Sequence, residues 1–286
     1  MTLNSALHYV DLKPGLRMAF TDSGGAEKPC ILMIHGLANY HGVWKWTIPD
    51  LQLKYRCIAI DLPGSGYSSR GEYPYGLSFY VFVLLEFIKE LKLDKVYLMG
   101  HSMGGQIALQ TAIHHPEVVR GLLLFAPAGI EYFSPAEATL FKSAIALGNF
   151  LAMDETHIAQ SINASFYRHP HIARQLISEL NQFIRENNRT SYRRMLEQSI
   201  HSMLDTPTAT WLKQIRCPLY VVFGEKDQLI PNRYFHPVPV ATLVAEALQG
   251  IAGSVWHCIP EAGHFVQIEQ AAVVNASMLH FLEGHR

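Results

Sequence analysis

Apolar residues along this chain come in short consecutive runs rather than at alternate positions. The runs are CILMIHG (30–36), YRCIAIDL (55–62), KVYLMG (95–100), GLLLFAP (121–127), CPLYVVFG (217–224) and VWHCIP (255–260). Consecutive apolar positions suit strands buried on both faces of a parallel sheet. Most of the intervening segments read as helices. In LSFYVFVLLEFIKELKL (77–93), Glu86, Lys89 and Glu90 form one narrow polar stripe, Ser78 stands as the expected N-cap, and the rest of the helix is expected to be buried. Strand and helix in alternation predict an α/β fold, with a mostly parallel central sheet and helices on both faces.

The alternation stops near Gly129. From 129 to 207 the pattern is helical and mostly amphipathic, with no strand-like run of comparable strength. Ser134 followed by Pro135, with Glu137 three positions after the serine, marks a helix start. This region is expected to be an inserted helical cap, with 1–128 and 208–286 together forming the core. The chain shows no repeat or low-complexity tract.

Bulk composition removes several function classes. The 286 residues are 49% hydrophobic and 16% charged, with a formal charge of −1, so there is no basic field for nucleic acid. The N-terminus MTLNSALHYVDLKPG lacks the cationic start and apolar core of a secretory signal. The longest apolar stretch, Leu77 to Ile88, is interrupted by Ser78 and Glu86 and is too short to span a bilayer, so no stable membrane insertion is expected. Cys30, Cys57, Cys217 and Cys258 lie at or inside apolar runs without metal-ligand spacing, which predicts buried free thiols and a cytoplasmic protein. Fifteen histidines are present, but no zinc-binding motif is among them, and no metal is expected.

The chemistry concentrates at YLMGHSMGGQIALQ (97–110), where a strand-like run meets a helix-like run at a glycine-rich corner. Glycines two positions either side of Ser102 permit a sharp strand-to-helix turn that exposes the serine Oγ, and the turn puts the Met103 N–H at a helix start. A serine hydroxyl needs a base to take its proton and a third group to orient that base. Asp227 follows a buried strand in VVFGEKDQLIP, and His264 follows the last strand in CIPEAGHFVQIEQ. The chain order Ser102, Asp227, His264 is that of a nucleophile elbow with its partners, and each lies beyond a strand end, where open α/β sheets form their sites.

At these residues the chain resembles the α/β-hydrolase superfamily. The resemblance rests on HGLANYHGVW (35–44), DLPGSGYS (61–68), GHSMGG (100–105), GEKDQLIP (224–231) and EAGHF (261–265), and it covers the chain outside the cap. It implies Ser102 as nucleophile, His264 as general base and then acid, and Asp227 as the carboxylate that orients His264. It also implies an oxyanion hole made by the backbone N–H groups of Leu37 and Met103. The segment between Asp227 and His264 is longer than the compact members need, and its 232–254 stretch is a candidate for shaping the site mouth.

Other residues have duller readings. Glu131 stands where some members of the superfamily keep their acid, but Asp227 fits its own motif better. Glu225 reads as a solvated loop charge. Gly64-Ser65-Gly66 lacks the third glycine and the following helix of a dinucleotide loop, which leaves Asp61 as a turn carboxylate for local N–H groups. His114 and His115 precede Pro116 at a helix end, while His35 and His101 flank the presumed site as hydrogen-bonded scaffold. His41 and Phe265 are the candidates for substrate contact. Tyr132, Phe133, Met153, Phe166, Tyr167, Phe183 and Met195 offer an apolar lining from the cap, only some of them facing substrate. Arg193 and Arg194 read as a solvated helix face rather than a carboxylate site.

The expected function is a cofactor-free serine hydrolase of carboxylic esters with an apolar acyl or alcohol part. The first rival is a carbon–carbon bond hydrolase of aromatic degradation. Members of that group tend to show Asn before the nucleophile and Trp after the histidine, where this chain has His101 and Phe265. Thioesterase activity, amidase activity and a non-catalytic ligand receptor on the same fold stay open beside it. Dehalogenase and epoxide hydrolase chemistry is disfavoured, because those relatives carry Asp at the position of Ser102.

Overall fold

All six expected strands form in the computed structural model, which describes residues 6–13, 15–147, 155–168, 170–185 and 189–285. Two strands that the consecutive-run pattern did not indicate precede them. The strands are β1 (Leu7–Lys13), β2 (Leu16–Asp22), β3 (Cys30–Ile34), β4 (Arg56–Ile60), β5 (Val96–His101), β6 (Val119–Phe125), β7 (Leu219–Gly224) and β8 (Ser254–Ile259). They make one sheet in the order β1-β2-β4-β3-β5-β6-β7-β8. β1 and β2 form an antiparallel hairpin, β2 runs antiparallel to β4, and every later pairing is parallel.

In the first half of the chain the helices are α1 (Ile48–Leu51), α2 (Leu77–Glu90) and α3 (Met103–His114). Between β6 and β7 stand α4 (Pro135–Leu147), α5 (Glu155–Ser165), α6 (Pro170–Arg185) and α7 (Arg189–Asp205), the helical insertion. The rest are α8 (Val240–Ala247), α9 (Val266–Glu269) and α10 (Ala271–Glu283). One sheet face packs on α2 and α3 through Leu32, Leu98 and Leu124, and the other packs on α10 through Met33, Met99 and Leu123. Consecutive apolar residues in the central strands are therefore buried, apart from half-buried Cys30 at the start of β3.

Three expectations are corrected. Ser78 does not cap α2: the cap position is Gly76, at φ 159°, and the Leu77 N–H donates to the Ser202 hydroxyl of α7 at 2.9 Å. A hydroxyl from the insertion has replaced the local one, so that end of α2 holds the insertion down. Nor is α2 wholly buried apart from its stripe, because Phe82 is exposed under the Lys13 ammonium. β8 is only half-buried, since it forms the sheet edge and has a neighbour on one side alone. The start of α4 matches its signal: the Ser134 N–H donates to Glu137 Oε2 at 2.7 Å, and the Glu137 N–H donates back to Ser134 Oγ at 3.4 Å.

Register places the site. Ile34 pairs with Gly100, His101 with Phe125, and Phe125 with Val222, so β3, β5, β6 and β7 end along one edge of the sheet. The turns carrying Leu37, Ser102 and Asp227 all leave from that edge.

Candidate active site

Ser102 separates β5 from α3 with φ 54° and ψ −118°, a conformation that side chains rarely adopt. Small neighbours make the turn possible. A Cβ on Gly100 would stand 2.4 Å from the Gly104 carbonyl oxygen, and one on Gly104 would stand 2.3 Å from that of Ile34. The serine backbone is fixed on both sides: its N–H donates to the Phe125 carbonyl at 3.0 Å, and its carbonyl accepts the N–H groups of Gly105 and Ala128 at 2.9 and 3.0 Å. The turn is thus held by the neighbouring strand as well as by its own helix.

His264 and Asp227 meet as a buried pair, with imidazole Nδ1 2.8 Å from the carboxylate Oδ2. The other oxygen of Asp227 accepts the N–H groups of Leu229 and Ile230 at 2.8 and 3.1 Å. A carboxylate oxygen facing Nδ1 suits the tautomer that has its proton there and its lone pair on Nε2. His101, next to Ser102, lies with its ring centroid 4.8 Å from that of His264 and its Nε2 3.0 Å from the His264 carbonyl oxygen. Gly36 closes the other side: a Cβ there would stand 3.1 Å from Ser102 Cβ and 2.9 Å from His101 Nδ1. Leu37 therefore follows directly on the residue that touches the serine. Met103 opens α3, where the first N–H groups lack intrahelical partners and the helix dipole is positive.

His35 and His101 are buried scaffold. His35 Nδ1 donates to the Gly36 carbonyl at 2.7 Å, while Nε2 accepts the Leu62 N–H at 3.0 Å. Burial holds the pKa of both rings below the ordinary histidine value, that of His101 well below. Neither ring is suited to carry a proton near neutral pH.

The two candidates for substrate contact have other partners. His41 gives both its backbone N–H and its Nδ1 to Asp61 Oδ1, at 2.7 and 2.9 Å, and Asp61 Oδ2 accepts the Tyr67 N–H at 2.9 Å. Asp61 is thus the turn carboxylate the sequence suggests. Phe265 is buried in a stack, with His101 at 4.8 Å on one side and Phe166 at 4.7 Å on the other.

Glu131 is not at His264. It accepts the Asn232 N–H at 2.8 Å and lies 2.6 Å from His236 Nδ1, tying the 232–254 stretch to the start of the insertion. Burial pushes its pKa up. Glu225 is exposed and pairs with Lys226 at 3.1 Å.

Of the apolar cap candidates, Phe183 and Met195 are buried, Tyr132 and Tyr167 are exposed, and Phe133 meets Phe141, Phe235 and His236 in tilted or edge-on contacts. Met153 lies outside the described residues. Arg193 and Arg194 are exposed, and Arg194 lies 3.4 Å from Glu72. The four cysteines are free, but only Cys57 is fully buried. Among the described residues no helix is long and apolar enough to cross a membrane, and no group of three His, Cys, Asp or Glu could hold a metal ion.

One residue beside the site escaped the sequence reading. Glu269 is buried, accepts the Gly263 N–H on Oε1 at 2.7 Å, and accepts those of Tyr167 and Arg168 on Oε2, both at 2.9 Å. Its only signal was a carboxylate five positions after His264, in the mixed stretch FVQIEQ.

A sheet of this order with a serine on a strained strand-to-helix turn defines a class, and comparison with known proteins agrees. The family model for the alpha/beta hydrolase fold matches residues 29–271. The chain belongs to the α/β-hydrolase family. It is similar to the dihydrolipoyllysine-residue acetyltransferase component of the acetoin cleaving system of Pseudomonas putida, at 28% identity over 273 residues, 95% of this chain and 68% of that protein. It is also similar to 2-hydroxymuconate semialdehyde hydrolase of Pseudomonas sp. (strain CF600), at 26% identity over 285 residues, 90% of this chain and 87% of that protein. Among solved structures, a membrane phospholipase A described as a bacterial virulence factor matches with a TM-score of 0.82 at 21% identity, over 99% of this chain and 87% of that one. At that identity the likeness speaks for the fold alone.

Proposed function

We propose that this chain is a serine hydrolase of carboxylic esters, with the helical insertion serving as a cap over the site. The buried His264–Asp227 pair, beside the strained turn of Ser102, is the observation that carries the reading. Ser102 Oγ attacks the ester carbonyl as His264 Nε2 takes its proton. Asp227 keeps the imidazole in the Nδ1–H tautomer and offsets the charge it gains. The carbonyl oxygen, now negative, rests on the N–H groups of Leu37 and Met103, donors of a kind worth roughly 10²–10³ in rate each. The tetrahedral centre collapses, the C–O bond breaks, and His264 passes its proton to the departing alkoxide. Water, deprotonated by the same imidazole, then releases the acid and restores Ser102.

Arg193 and Arg194, the positive charges the sequence offered for an acid group, belong to a solvated face of α7. A carbon–carbon bond hydrolase is the second reading, and the similarity to 2-hydroxymuconate semialdehyde hydrolase favours it.

Initial rates on p-nitrophenyl esters from acetate to laurate, run beside a ring-fission dienoate, separate the two. Ester turnover with an optimum at one chain length, and none on the dienoate, is expected. Turnover of the dienoate alone would contradict the ester reading.

A further inference from the structure

A carboxylate is rarely buried unless its oxygens are satisfied. Glu269 is buried at the end of α9 and does no chemistry in the reaction above, yet its hydrogen bonds join two parts of the molecule. Oε1 takes the N–H of Gly263, the residue before His264, while Oε2 takes two consecutive N–H groups just past α5, those of Tyr167 and Arg168. Such charge-assisted bonds are about twice as strong as neutral ones.

The same contact is reinforced around it. The His264 N–H donates to the Ser165 carbonyl at 2.8 Å, so two successive N–H groups of the histidine loop are taken by Glu269 and by the insertion. The main chains approach too closely for a side chain at 263. A Cβ there would stand 2.7 Å from Tyr167 N and 2.8 Å from the Ser165 carbonyl oxygen. Phe166 of the insertion stacks on Phe265, which stacks on His101.

We propose that Glu269 is a positioning residue: its carboxylate clamps the chain after α5 to the loop of His264 and so fixes the imidazole against Ser102. The effect on turnover rests on the ester-hydrolase reading, whereas the clamp does not. The insertion then supplies part of the support of the catalytic base as well as covering the site. Glu269→Gln keeps the shape but turns one acceptor oxygen into a donor NH₂, which must face either the Gly263 N–H or those of Tyr167 and Arg168. With either side lost the two segments are no longer tied to each other, so both are released.

The test is amide hydrogen–deuterium exchange together with steady-state kinetics on p-nitrophenyl butyrate. In Glu269→Gln, exchange is expected to rise together in the 163–168 and 261–266 segments. Turnover is expected to fall on the order of 10²-fold in kcat with KM little changed, the pattern of a misplaced group rather than of lost binding. If Glu269→Gln does not fold, Arg168→Pro removes one N–H donor and leaves the carboxylate in place. Arg168→Ala, which loses the ion pair to Glu261 at 2.8 Å and the guanidinium's place over the Tyr167 ring but keeps the backbone N–H, is its control. Arg168→Pro should reproduce both effects and Arg168→Ala neither.

Exchange unchanged in a folded variant, or raised in one segment alone, overturns the clamp whatever the wild type hydrolyses. Paired exchange with undiminished kcat overturns the positioning role. Paired exchange in a protein whose wild type turns over no ester sinks the ester reading and leaves the clamp standing.

Discussion

At the scale of residues, the backbone strain lies mostly where the proposed chemistry is, Lys92 just past α2 being the exception among the described residues. Ala38, Ser102, Ala126 and Glu261 all have φ between 41° and 56°, and all lie just beyond the C-terminal ends of β3, β5, β6 and β8. Left-handed backbone at residues with a Cβ costs about 1–3 kcal/mol each and persists only where the surroundings enforce it. Asp227 shows how little freedom the site has, because its two oxygens are already shared among His264, Leu229 and Ile230. Asp227→Asn presents an amide that can donate to Nδ1, which then gives up its proton to Nε2 and leaves the serine without a base. A drop in kcat on the order of 10⁴-fold is expected. Stopped-flow ester hydrolysis measures it, and a loss of less than about tenfold would remove Asp227 from the mechanism.

At the scale of elements, consecutive apolar runs marked the central strands because those strands are buried on both faces, and the capping pair Ser134–Glu137 marked the start of α4. β1 and β2 went unread. β1 is a half-exposed edge strand, and both pair antiparallel outside the parallel core, so the consecutive-run signal does not apply to them. Ser78 failed as a cap for a different reason: the competing hydroxyl, Ser202, lies far away in sequence and reaches Leu77 only through tertiary packing. The same holds for Glu269, whose partners come from two separate segments, whereas the turn at Ser102 and the contact of Asp227 with His264 were legible because each residue sits in a local motif. α3 meets β3 without room for a methyl group, since a Cβ on Gly104 would lie 2.3 Å from the Ile34 carbonyl oxygen. Gly104→Ala is expected to cost about 1–3 kcal/mol of stability. Urea unfolding measures it, and an unchanged midpoint would mean that α3 shifts freely.

At the scale of the whole molecule, two buried neutral histidines link folding to pH. The folded-state pKa values of His35 and His101 lie below the ordinary value of 6.5, because burial penalises the imidazolium. Below that pH the unfolded chain binds a proton at each ring that the folded chain does not. Their contribution is therefore complete above about pH 6.5 and is lost as the pH falls through it, by up to about 1.4 kcal/mol per pH unit for each ring. Denaturant midpoints measured at falling pH should drop accordingly, and a flat profile down to about pH 5.5 would contradict the neutral scaffold. The fold brings distant motifs to one sheet edge, and the proposed chemistry there stands or falls on whether Ser102 becomes acylated. Rapid acid quench of an ester reaction, followed by peptide mass mapping, tests this most directly. The acyl mass is expected on the peptide that contains Ser102, with no adduct in Ser102→Ala, whose turnover falls on the order of 10⁶-fold. An acyl group on another residue, or undiminished turnover in Ser102→Ala, would contradict the serine mechanism.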